Sequence, residues 1–201
     1  QFQGWRPRFY SVGLQNKTLG IIGMGELGQA LAKRMAGFEM NLLYCDPKSL
    51  SQQEEKKLGL SFADFEQLLQ ESDYVALTVP LQANTLHLMN RETIARMKPG
   101  SFLINTCRGS VVDEKAVAEA VDSGHLAGYA ADVFEMEDWT RSDRPDYLPP
   151  SFLENRKKIF LTPHLGSAVS DVRCQIALNA AQSIDQALKG KIPNGAINQL
   201  Q

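Results

Sequence analysis

Short apolar runs alternate with stretches of helical period along most of the chain. Residues 18–22 form a continuous apolar run, the composition of a strand buried on both faces. From Glu26, Leu27, Ala30 and Leu31 to Met35 the period becomes helical, with Gly37 as a stop. A second strand is expected over 41–45. Residues 61–70 predict a helix with Ser61 as N-cap and Phe65, Leu68 and Leu69 facing inward. A third strand over 73–79 ends at Pro80, a short helix over 91–97 closes at Pro99 and Gly100, and a fourth strand covers 101–105. Beyond it come a helix over 113–123, a fifth strand over 128–133, a sixth over 159–162 and a last helix over 170–188 that ends at Gly190. This rhythm predicts an α/β fold: a doubly wound parallel sheet with helices on both faces. Residues 135–158 break it. They are polar, carry Pro145, Pro149 and Pro150, and exceed an ordinary connection, so a functional or covering role is expected.

Composition narrows the class. Of the 201 residues, 43% are hydrophobic and 22% charged, ordinary for a chain that buries a core. Twenty-one Lys and Arg nearly balance 23 Asp and Glu, leaving no basic field for nucleic acid or an anionic membrane. No apolar run has the length of a membrane span, and the first residues lack a signal-peptide core. Cys45, Cys107 and Cys174 have no metal-type spacing. They read as reduced thiols of a cytoplasmic protein, each packed as a small hydrophobe, and no metal site is expected.

Gly23-Met24-Gly25-Glu26-Leu27-Gly28 is a GxGxxG between a predicted strand and a predicted helix. Gly23 suits the tight turn, Gly25 the approach of backbone to a pyrophosphate, and Gly28 close packing of helix on strand. Amides at the helix start, around Glu26 and Leu27, would point at the diphosphate. The second strand delivers Asp46 eighteen residues past Gly28, placed to bind both hydroxyls of an adenosine ribose and to repel a 2′-phosphate. NAD is therefore favoured over NADP, with Pro47 and Lys48 next to the deciding carboxylate.

Three more stretches follow predicted strand ends, where open α/β sheets bind ligands. They are the runs from Asn105 through Thr106, Cys107 and Arg108 to Gly109, from Asp132 to Glu137, and from Thr162 through His164 to Ser167. A guanidinium suits two-point binding of an oxyanion, and a histidine beside a carboxylate suits proton transfer near neutral pH. Taken singly, Arg108 also reads as a surface ion pair, His164 as a loop histidine and Glu137 as a solvated charge. His87 and His125 read as structural.

The series GMGELG, NTCRGSVVDE, GYAADVFEMED and TPHLGSA resembles the D-2-hydroxyacid dehydrogenases in order and spacing over nearly the whole chain. The resemblance implies a Rossmann-type NAD-binding domain with Arg108 on the substrate anion, His164 as general acid/base and Glu137 hydrogen-bonded to His164. Glu135 is the rival for that last role, and only family spacing favours Glu137. Asp132 would face the nicotinamide, and Val79, Pro80, Thr106, Cys107 and Gly166 would complete the cofactor contacts. Domain limits of 1–167 and 168–201 are expected, the second part being a helix and tail. Family members build the substrate domain largely from an N-terminal segment of about one hundred residues that this chain lacks, and they commonly dimerise, so a homodimer is expected. The chain starts without methionine, as though something preceded it.

Two departures bear on substrate. The family usually has proline after the catalytic glutamate, whereas Asp138-Trp139 stands here, followed by a long insert. With Trp5 and Tyr10 near the start, these features resemble the phosphite dehydrogenase branch, which implies oxidation of phosphite to phosphate and places Trp5 and Tyr10 near the substrate. An ordinary 2-hydroxy acid is the alternative. A non-catalytic NAD-sensing module, like the corepressors of this fold, would keep the same arginine, glutamate and histidine. A formate-type enzyme expects an amide in place of Glu137.

Overall fold

The computed structural model describes residues 12–197, so Trp5 and Tyr10 lie outside the described residues. The chain divides into two compact units, one running to Thr162 and one from Pro163. In the first, β1 (Thr18–Ile22), β2 (Asn41–Cys45), β3 (Leu60–Phe62), β4 (Tyr74–Leu77), β5 (Ser101–Asn105), β6 (Leu126–Ala131) and β7 (Ile159–Leu161) form one sheet in the order β3-β2-β1-β4-β5-β6-β7. Every pairing is parallel. The expected doubly wound sheet of Rossmann type is thus what the chain builds, with seven strands rather than six.

Both faces of the sheet are covered, which is why its central strands carry consecutive apolar residues. On one face α1 (Glu26–Met35) and α2 (Gln52–Leu58) enclose Leu19, Ile21, Ala32, Leu42 and Tyr44. On the other, α3 (Phe65–Glu71), α4 (Arg91–Ala95), α5 (Glu114–Asp122) and α6 (Pro150–Glu154) accompany a larger core that includes Leu68, Val75, Leu77, Leu103, Val117 and Tyr129. The second unit carries α7 (Ser170–Leu188), on which Cys174 is exposed rather than buried as its thiol implied. Cys107 is buried and Cys45 half-buried. Among the described residues no helix is long and apolar enough to cross a membrane.

The strand that the apolar pattern did not predict is β3. Ser61 lies within it, and the helix begins only at Phe65, where Asp64 Oδ1 accepts the N–H of Gln67 at 2.8 Å. A three-residue strand at the sheet edge has too few positions to display alternation. α2 was equally hard to foresee, because QQEEKKL buries no residue and has no apolar stripe. It is defined instead by a capping box, in which Ser51 Oγ accepts the N–H of Glu54 and the Glu54 carboxylate accepts the N–H of Ser51.

These caps make a direct prediction. Asp64→Ala should cost about 1 kcal/mol in urea unfolding, while Ser61→Ala should stay within about 0.5 kcal/mol. The reverse order of losses would mean that the helix starts at Ser61.

Candidate active site

At the carboxyl ends of the central strands lies a cleft of about 550 Å³. The loop after β1 contributes Gly25, Glu26 and Leu27; the end of β4 contributes Thr78, Val79, Pro80 and Leu81; the turn after β5 contributes Thr106, Cys107 and Arg108. Eight of these ten are residues singled out from sequence, brought together because β1, β4 and β5 are neighbours in the sheet. Thr78 and Leu81 were not foreseen. Thr78 Oγ1 donates to Gly23 O at 2.6 Å, which locks the glycine loop to β4. A threonine at the end of a predicted strand was the available signal, but it read as one more strand residue.

The loop fits a diphosphate. Gly23 has φ +95°, and a Cβ at Gly28 would lie 2.2 Å from Gly23 O, so the helix start packs directly on the turn. At Gly25 an added Cβ meets nothing within 4 Å, which leaves backbone facing the cleft with open space in front of it. Asp46, half-buried at the end of β2, accepts Met24 N–H at 2.7 Å through Oδ2 and Lys48 N–H at 2.9 Å through Oδ1. Each carboxylate oxygen retains a second lone pair for a ribose hydroxyl. Pro47 is exposed beside it.

Arg108 is exposed, and its Nη1 donates to the neighbouring Cys107 O at 2.7 Å. Its turn is held by the buried Asn105, whose Nδ2 donates to Arg108 O at 2.9 Å while Oδ1 accepts Cys107 N–H at 3.1 Å. Burial pushes the Cys107 thiol above its ordinary range, which makes it packing rather than a nucleophile. After β6, Asp132 Oδ1 accepts from Thr162 Oγ1 at 2.5 Å. Glu137 closes the short 3-10 turn Glu135–Glu137 and is half-buried. His164 and Gly166 belong to the second unit. His164 has φ +54°, a left-handed conformation uncommon outside glycine and often found at functional positions.

Glu135, the rival of Glu137, is engaged elsewhere. It is buried, and its Oε1 lies 2.5 Å from His87 Nε2. His87 thus forms a half-buried ion pair or shared hydrogen bond, a role its sequence context did not display. The backbone N–H of Glu135 donates to Glu114 Oε1 at 2.9 Å. Glu114 is 2% exposed, and its Oε2 is buried with no hydrogen-bond partner. Burial pushes its carboxyl from an ordinary 4.5 to about 7, helped by the charges of Glu135, Glu137 and Asp138 and opposed by the bond from Glu135 N–H. Among the described residues no group of His, Cys, Asp and Glu is arranged to hold a metal ion.

A glycine loop, a carboxylate and an arginine stand at adjoining strand ends, the arrangement expected of a dinucleotide site. The family described as D-isomer specific 2-hydroxyacid dehydrogenase, NAD binding domain, matches residues 1–166. The chain belongs to that family. A glyoxylate reductase of Thermococcus litoralis is 40% identical over 196 residues, which cover 97% of this chain and 56% of that enzyme. The solved TT0316 protein of Thermus thermophilus matches at TM-score 0.82 and 36% identity, over 98% of this chain and 59% of that one. The apo D-mandelate dehydrogenase of Rhodotorula graminis matches at TM-score 0.82 and 29% identity, over 95% of this chain and 54% of that one. The chain therefore spans a little over half the length of these relatives. Its cofactor is NAD.

The buried carboxyl sets a pH dependence. Between pH 4.5 and about 7 folded Glu114 holds a proton that the unfolded chain has released, so stability falls as pH rises through that window. Glu114→Gln keeps an acceptor for Glu135 N–H and cannot ionise. It should flatten the fall and gain up to about 3 kcal/mol over the parent at pH 8, as read by urea unfolding across pH 4.5 to 8. Parallel curves for the two proteins would rule out the raised carboxyl.

Proposed function

We propose that the chain is the cofactor-binding part of an oxidoreductase that interconverts a small 2-hydroxy acid and its 2-oxo acid with NAD. The observation that carries this reading is Arg108, a cation open to the same cleft as the glycine loop. The similarity to a glyoxylate reductase points the same way. A guanidinium pairs two-point with a carboxylate, which would present the carbon beside it to the cofactor. When bound, the nicotinamide ring takes up or returns the hydride.

The remaining chemistry falls to side chains. His164 removes the hydroxyl proton in oxidation and returns it in reduction. By the family resemblance Glu137 would be the carboxylate that fixes the tautomer of such a histidine and stabilises its imidazolium. The engagement of Glu135 with His87 supports Glu137 for that part. Asp132 faces the nicotinamide in this reading, and the active assembly is a homodimer of cytoplasmic protein.

A second reading, phosphite, is favoured by one feature: Asp138-Trp139 and the insert behind it replace the family's usual proline. Arg108 would hold the phosphite oxygens, and His164 would deprotonate an attacking water as the P–H hydride leaves. Phosphite, water and NAD then give phosphate, NADH and a proton.

One assay of the intact gene product separates the readings: absorbance of NADH with NAD and glycolate, D-lactate or phosphite, and its loss with NADH and glyoxylate. Turnover of the organic acids is expected, with kcat/KM reduced about 10²- to 10⁴-fold in His164→Ala. Arg108→Lys should raise KM above all, because the two-point contact is lost. Turnover of phosphite alone selects the second reading. NADH binding without turnover of any substrate would leave a sensor and overturn both.

A further inference from the structure

The turn that carries Arg108 is built directly against the segment that carries Glu137. A Cβ added at Gly109 would lie 1.9 Å from the carbonyl carbon of Phe134 and 2.3 Å from the amide nitrogen of Glu135. The two backbones touch there, and any side chain at 109 would force them apart. Ser110, the next residue, is 0% exposed, and each of its polar groups is held by a different part of the chain. Its N–H donates to Asp138 Oδ2 at 2.7 Å, its Oγ accepts from Arg141 Nη1 at 2.8 Å, and its C=O accepts His87 N–H at 2.8 Å.

Asp138 stands where the family usually has proline. Its φ of −82° is one that a proline ring accepts, so the backbone path does not exclude proline. Proline would instead remove two hydrogen bonds: the Asp138 N–H donated to Glu135 O at 3.1 Å, and the carboxylate that holds Ser110. That carboxylate belongs to a residue 9% exposed, and a hydrogen bond from a main-chain N–H to a buried carboxylate is among the strong ones. Arg141 completes the arrangement from the insert. Its side chain is only 14% exposed, and its guanidinium lies 3.9 Å from Glu135 Oε1 and pairs with Asp143 through Nε and Nη2 at 3.2 and 3.0 Å. It thus offsets the negative charge of Asp143, Glu135 and Asp138 around it.

We propose that Asp138 and Arg141 are positioning residues for the anion-binding Arg108: by gripping Ser110 they fix the arginine's turn against the turn that bears Glu137. The proposal rests on the reading of Arg108 as the substrate's anchor. Geometry held to a fraction of an ångström decides how well such an anchor works, and a loose support shows first in substrate binding. The glycine loop draws nothing from this grip, so cofactor binding should feel its loss much less than substrate binding does. The insert that breaks the rhythm of the fold thereby acquires a role, since it ties down a residue two places from the site.

The test compares the parent with Arg141→Ala, Arg141→Lys, Asp138→Asn, Ser110→Ala and the double variant Ser110→Ala/Arg141→Ala. Steady-state kinetics with the anion that the parent turns over are combined with NADH titration calorimetry and amide hydrogen exchange over 106–112. Arg141→Ala should raise KM about ten-fold with kcat within about two-fold. Arg141→Lys, which keeps a donor for Ser110 Oγ, should recover part of that loss, and the double variant should be no worse than Arg141→Ala alone. Exchange over 106–112 should rise in Arg141→Ala and Asp138→Asn, while exchange in the glycine loop stays at parent values and NADH affinity falls much less than KM rises. An unchanged KM, unchanged exchange over 106–112, or an equal loss of NADH affinity would overturn the proposal. If the parent turns over no anion, the functional reading fails and the proposal with it. Normal parent turnover beside an unaltered Arg141→Ala variant means that the proposal alone is wrong.

Discussion

Parallel pairing of all seven strands means that every strand ends at the same edge of the sheet, and every connection must leave and return along a face. Chemistry has one place to gather. The register delivers Ile22 beside Leu77, Leu77 beside Asn105 and Asn105 beside Ala131, so the segments that follow these residues start as neighbours. The strand order turns between β1 and β4, where successive crossovers run to opposite sides and open a crevice. Arg108 reaches the cofactor cleft because its strand is the next one along.

That edge is also where buried polar groups accumulate. Thr78 ties the glycine loop to β4, Asn105 holds the arginine turn through both ends of its amide, and Glu114 supports the backbone of Glu135. A loop that faces a ligand cannot be fixed by apolar packing on its open side, so side chains from below fix it by hydrogen bonds. Glu114 shows the cost: a carboxyl brought so far out of water gives up its proton only at about pH 7.

What was legible in the sequence follows the same physics. Strands buried on both faces must be apolar throughout, and β1, β2 and β5 were placed to the residue. The glycine loop and the strand-end position of Asp46 were legible because backbone conformation and ribose chemistry tolerate few substitutes there. β3 and α2 were not, since neither packs a repeating apolar stripe and each is defined by local hydrogen bonds. The support beneath the site was hidden for another reason. His87 and Glu135 lie forty-eight positions apart, and Ser110 and Arg141 thirty-one, so nothing in their local patterns announced the meetings.

On the proposed reading Asp46 joins two duties that are usually described separately. The carboxylate that would recognise the ribose also accepts the N–H of Met24, inside the glycine turn. Recognition of the sugar and the shape of the phosphate loop would thereby be coupled through one side chain. Replacing Asp46 by a small or cationic residue, the simplest route toward a phosphorylated ribose, would also release a main-chain donor in the loop that receives the diphosphate. An evolutionary change of nucleotide preference in this chain therefore passes through a less ordered intermediate unless a second substitution supplies Met24 with a new acceptor first.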